Sequence, residues 1–134
     1  EISECLVGSE MCIRDSRHAA RIQKVQNVLI EVNVGGEASK SGVDPEQLEE
    51  LLLGVAQLSN VHVQGLMTIP PATGNEKFLF RMQQLFLDIS AKKMDNIDME
   101  ILSMGMSGDY AAAIRYGSTL VRIGSALFGA RKYQ

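Results

Sequence analysis

Val28-Leu-Ile-Glu-Val-Asn-Val34, closed by Gly35-Gly36 and followed across a polar loop by Asp44-Pro-Glu-Gln-Leu48, sets the architecture. The first run is apolar and β-branched and ends on glycines, the pattern of a buried strand. The second places an N-cap aspartate, a first-turn proline and a capping-box partner, Gln47, ahead of Leu48, Leu51, Leu52, Val55 and Leu58 at helical spacing. One strand has passed into one helix.

Outward from this unit the plan repeats. Val61-His-Val-Gln-Gly-Leu-Met67 reads as a second strand stopped by Thr68-Ile-Pro-Pro71. A helix from about Asn75 to Lys93 follows, with Phe78, Leu79, Met82, Leu85, Phe86 and Ile89 on one face. A third strand is expected from Met99 to Ser103, then a helix through Ala111 to Gly117. A fourth strand is expected over Ser118-Thr-Leu-Val-Arg-Ile123, ending on Gly124-Ser125. Strands alternating with helices predict an α/β fold with parallel strands. Four such units amount to about half of a (β/α)8 TIM barrel, which takes roughly 250 residues. Such a half leaves two sheet edges open, an aggregation liability.

In parallel α/β folds ligands bind at the carboxyl ends of the strands. The unusual residues collect there: Asn33, Lys40, Met67, Ser107, Arg122, Gly124 and Ser125. Ser103-Met-Gly-Met-Ser-Gly-Asp109 and Arg122-Ile-Gly-Ser-Ala-Leu-Phe-Gly129 each put glycine and serine where a strand gives way to a helix. Backbone N–H groups, hydroxyls and a positive helix end can there converge on one anion. Plainer readings exist for each residue. Ser107 can be a helix N-cap, Arg122 can form a salt bridge to Glu31 or another acid, and Met67 and Met104 can be packing residues. His62 reads as a peripheral strand position, and Lys92-Lys93 as the complement of a helix dipole.

Composition narrows the function classes. The formal charge of −3 resides in residues 1–16, where Glu1, Glu4, Glu10 and Asp15 outweigh Arg14; the rest is balanced. With no basic stripe and few aromatics, nucleic-acid binding has no footprint, and any bound anion should be small and locally gripped. No apolar run reaches the ~18 residues of a membrane span. Cys5 and Cys12, with two distant histidines, give no metal-ligand spacing. The amino-terminal stretch has four acids and no apolar signal core, so a cytoplasmic address is expected. Cys5-Leu-Val-Gly-Ser-Glu-Met-Cys-Ile-Arg-Asp-Ser16 resembles translated sequencing adapter, so residues 1–16 are expected to be a foreign leader with no fold.

Asn33, Ser39-Lys-Ser-Gly42, Gly65-Leu-Met-Thr-Ile-Pro70, Leu102-Ser-Met-Gly-Met-Ser-Gly-Asp109 and Gly117 to Arg131 together resemble the pyridoxal phosphate homeostasis proteins, relatives of the alanine racemase barrel. The resemblance implies that residues 17–134 are the carboxy-terminal half of a barrel domain binding pyridoxal 5′-phosphate (PLP). It implies a carrier of the cofactor with no established turnover reaction and no catalytic residue, storing PLP or delivering it to apoenzymes. Ser107, Gly124 and Ser125 would hold the phosphate, Arg122 would meet the pyridine nitrogen, and Met67 and Asn33 would line the site. An arginine at that nitrogen keeps it unprotonated and weakens the electron sink. The family's Schiff-base lysine sits in a Val-Ser-Lys type motif that this sequence lacks. Of Lys24, Lys40, Lys77, Lys92, Lys93 and Lys132, only Lys40 falls in a loop at the ligand edge. An amino-acid racemase of the same barrel superfamily is the alternative, and a misassembled fragment with no ligand a third.

Overall fold

The computed structural model describes residues 2–5, 8–21 and 24–129. A four-stranded parallel sheet has the order β1 (Ile2–Cys5), β2 (Gln26–Glu31), β3 (Val61–Met67), β4 (Ile97–Ser103). Neighbours in the chain are therefore neighbours in the sheet, and helices α1 (Gly8–Arg21), α2 (Leu48–Val55) and α3 (Glu76–Lys92) span the crossovers. Parallel pairing forces this arrangement, since a strand can meet its successor in the same direction only after a long return. Two short helices follow, α4 (Tyr110–Arg115) and α5 (Ser125–Phe128). Among the described residues no helix is long and apolar enough to cross a membrane.

One core joins sheet and helices. Val28, Ile30 and Val32 from β2 and its end, Val61, Val63 and Leu66 from β3, and Leu102 and Met104 from β4 and its end cluster with Leu48, Leu52 and Val55 of α2. Leu79, Met82 and Ile89 of α3 complete it. Phe78, Leu85 and Phe86 pack against its margin, so the apolar face read from the sequence is the buried one. Met104 is fully buried in this core, as a packing residue.

Three details differ from the sequence reading. First, the expected fourth strand is absent: residues 118–122 run beside β4 with a single bridge, Ser103 to Leu120. Hydroxyls take the ladder positions, Thr119 Oγ1 accepting the Leu102 N–H at 2.9 Å and Ser118 Oγ donating to Met104 O at 2.6 Å. Second, a strand and the first part of α1 fall within residues 1–16, where no fold is expected. Ile2 to Cys5 pair with Asn27 to Ile30, so β1 covers the edge that β2 would otherwise leave open. The side chains of Cys5 and Cys12 lie outside the described residues. Third, Asp44 makes no side-chain cap; Val43 bridges to Val32, and the chain then turns through one 3-10 turn, Pro45–Gln47, before α2. Lys92 lies in the last turn of α3, where the sequence reading puts a dipole complement, and also reaches Glu49 of α2 at 2.6 Å, while Lys93 ends the helix in a left-handed conformation.

Gly65 sits where β3 shifts register against both neighbours, at φ +155°. A Cβ there would lie 1.7 Å from the Ile101 carbonyl oxygen, a backbone atom with no room to retreat. Gly54 on α2 is its counterpart, with nothing within 4 Å of an added Cβ. Gly65→Ala is expected to lower the stability by about 3 kcal/mol or more, and Gly54→Ala to raise it by roughly 0.5–1 kcal/mol. Urea denaturation of the two variants reads both signs.

Candidate functional site

Parallel strands deliver every following loop to one edge, and in this chain those loops are stitched to one another. The loop after β2 is closed by Asn33, whose side-chain amide donates to Glu37 O at 2.8 Å and whose Oδ1 accepts the Glu37 N–H. It touches the loop after β3 at two points. A Cβ on Gly35 would come within 2.6 Å of Pro71 Cγ, and Lys40 Nζ donates to Ile69 O and Pro70 O at 3.3 and 3.2 Å. Glu37 meets the same ammonium at 3.3 Å.

Thr68, fully buried at the end of β3, holds the next layer. Its N–H donates to Ser103 O at 3.0 Å and its Oγ1 to Val32 O at 2.6 Å. Its carbonyl accepts Arg122 Nη2 at 2.9 Å. The Arg122 N–H in turn donates to Gly105 O at 2.9 Å, which lays the 122–125 turn beside the turn after β4. Arg122 is half-buried. Its Nε is buried with no partner among the described residues. Ser103 Oγ, 1% exposed at the end of β4, is equally without one. Two idle buried polar atoms at one edge cost stability unless something polar meets them.

The turn after β4 is tightly specified. Gly105 adopts φ +106°, and a Cβ there would lie 2.8 Å from the Ala113 Cβ. Asp109, at the start of α4, does not cap that helix. Its carboxylate accepts the Met106 N–H at 2.7 Å and the Asn75 side-chain amide at 2.8 Å. Ser107 rides on this turn, half-buried. Gly124 opens α5 and its carbonyl accepts the Leu127 and Phe128 N–H groups.

The structure thus brings Ser107, Arg122, Gly124 and Ser125 onto two adjoining turns. Met67, 3% exposed, ends β3 in register with Glu31 and Ser103. Asn33 belongs to the same edge, but its amide is occupied by its own loop. His62 faces Asp98 across β3 and β4 at 2.7 Å, away from this edge. A cavity of about 340 Å³ opens between the loops after β3 and β4, bordered by Lys40, Pro71, Asn75, Met106 and Asp109. Among the described residues no cluster of three His, Cys, Asp or Glu could hold a metal. Sequence reasoning missed Thr68 and Ser103; the signal for the first was a hydroxyl set between a buried strand and two prolines.

A family profile described as alanine racemase, N-terminal domain, matches residues 3–132. The chain belongs to that family. Within it, the chain is 51% identical over 112 residues to the pyridoxal phosphate homeostasis protein of Aquifex aeolicus. The match takes in 81% of this chain and 49% of that protein. It is 49% identical over 111 residues to the protein of the same name in Pseudomonas aeruginosa, across 80% of this chain and 46% of that one. The chain spans about half the length of these curated relatives. Among solved members, PipY of Synechococcus elongatus with PLP bound superposes with a TM-score of 0.83 at 25% identity, covering 96% of this chain and 60% of PipY. Alanine racemase of Corynebacterium glutamicum shares the fold, with a TM-score of 0.75 at 16% identity over 98% of this chain and 36% of that one. Of these two neighbours, PipY is the one solved with PLP in place.

Removing the Thr68 hydroxyl while keeping its shape leaves Val32 O buried without its donor. Thr68→Val is therefore expected to destabilise by about 1–3 kcal/mol, read from the shift in the urea midpoint at constant slope.

Proposed function

We propose that this chain binds PLP at the carboxyl edge of its sheet and serves PLP homeostasis, holding and releasing the cofactor without converting a substrate. The observation that carries the reading is Arg122, a cation inside the edge with one donor fixed on Thr68 O and its Nε idle. A heteroaromatic nitrogen is the kind of acceptor such a group suits. The names of the curated relatives and the PLP bound in PipY support the same reading.

In this assignment Arg122 meets the pyridine nitrogen as a donor and so disfavours its protonation. Ser107, Gly124 and Ser125 hold the phosphate through hydroxyl and backbone N–H groups. Met67 and Asn33 form the floor and wall. When bound, PLP supplies an electrophilic aldehyde. The lysine that would bond it covalently is not matched in this sequence, and Lys40 is engaged by two carbonyls and Glu37.

Residues 17–134 are assigned to carboxy-terminal β/α units of a (β/α)8 barrel. PLP-dependent apoenzymes are the partners this role requires, and a cytoplasmic address suits it.

Titration of the purified chain with PLP, followed by absorbance and by melting temperature, tests the proposal. Saturable, dialysable binding is expected, weakened at least tenfold by Arg122→Met. A melting temperature indifferent to PLP defeats it, and PLP fixed to a lysine after borohydride treatment defeats the absence of a covalent anchor. Turnover of L-alanine to D-alanine selects the racemase alternative.

A further inference from the structure

Asp109 stands where an N-cap residue belongs and does not act as one. A carboxylate at that position ordinarily accepts N–H groups of the helix it begins. Here one oxygen turns back three residues to the Met106 N–H at 2.7 Å, and the other accepts the Asn75 side-chain amide at 2.8 Å. Asn75 itself stands at the start of α3, where its carbonyl accepts the Phe78 and Leu79 N–H groups. The carboxylate therefore fastens the turn after β4 to the first turn of another helix, 34 residues away in the chain.

The turn needs such a fastening. Gly105 and Gly108 bracket Met106 and Ser107, and glycine brings the greatest loss of backbone freedom on ordering. A loop left loose would have to be ordered by the ligand, at a cost to affinity. An acid in an anion-binding turn is also electrostatically unfavourable to the anion. Its place is intelligible if the hydrogen bonds outweigh the repulsion, and the Met106 bond is short and charge-assisted.

We propose that Asp109 is a positioning residue: its carboxylate clasps the Met106–Asp109 turn to Asn75 and so pre-forms the Ser107 turn for a phosphate monoester. This rests on the PLP reading and deepens it, by assigning phosphate selectivity to a residue outside the phosphate contacts.

The test compares Asp109→Ala with Asp109→Asn in the purified chain. The asparagine keeps an oxygen for the Met106 N–H, and Asn75 can rotate its amide to accept from the new NH2 group; the alanine can do neither. Two measurements are made on each variant: dissociation constants for PLP and for phosphate-free pyridoxal, and hydrogen exchange at the Met106 amide. Asp109→Ala is expected to weaken PLP about tenfold while leaving pyridoxal unchanged, and to speed Met106 exchange. Asp109→Asn is expected to restore both. Equal weakening of PLP and pyridoxal, or no change in their ratio, overturns the positioning role. Wild-type protein that does not distinguish PLP from pyridoxal overturns the phosphate site itself. Met106 exchange that is the same in all three proteins overturns the clasp, whether or not PLP binds.

Discussion

The carboxyl edge of the sheet depends on Thr68. It is fully buried and its three backbone and side-chain polar groups each have a partner on a different part of the edge: Ser103 O at the end of β4, Val32 O beyond β2, and the Arg122 guanidinium. A buried group with its bonds satisfied is nearly neutral to stability, whereas one left idle is costly. Thr68 thereby fixes the relative positions of three loop bases at once. Pro70 and Pro71, just beyond, keep the chain from continuing as a strand and send it towards Asn75.

The strand and helix pattern was legible because burial on the helix side of the sheet imposes strict spacing. β3 matches the sequence reading end for end, α3 nearly so, and the apolar residues chosen for its face are those that meet the core. Legibility failed where side chains replace backbone. Ser118 to Ile123 has strand composition, yet Ser118 and Thr119 use their own hydroxyls on β4, which no apolar periodicity records. The capping box at Asp44 failed for a similar reason: the bridge from Val43 to Val32 fixes the approach to α2, so no side-chain cap forms.

The site was legible as a set of turns and illegible as a set of bonds. Glycine and serine after an apolar run announce an anion-friendly turn, and Ser107, Gly124 and Ser125 do fall on adjoining turns. What joins those turns is the Arg122 N–H on Gly105 O and the guanidinium on Thr68 O, contacts across 17 and 54 residues that no local motif contains. Asn33 illustrates the opposite limit. Its residue type suits a ligand contact, but its amide is spent closing a loop.

The hydroxyls of Ser118 and Thr119 also bear on how this protein meets its neighbours in a crowded solution. A naked strand edge offers a regular row of donors and acceptors that any extended chain can copy. From Leu102 to Gly105 that row is already consumed, by Thr119 Oγ1, Ser118 Oγ and the N–H groups of Thr119, Leu120 and Arg122. The spacing of those partners is irregular, since hydroxyl and amide alternate. The margin of the sheet from Leu102 to Gly105 is therefore closed to templated pairing by the same segment that carries Arg122 into place.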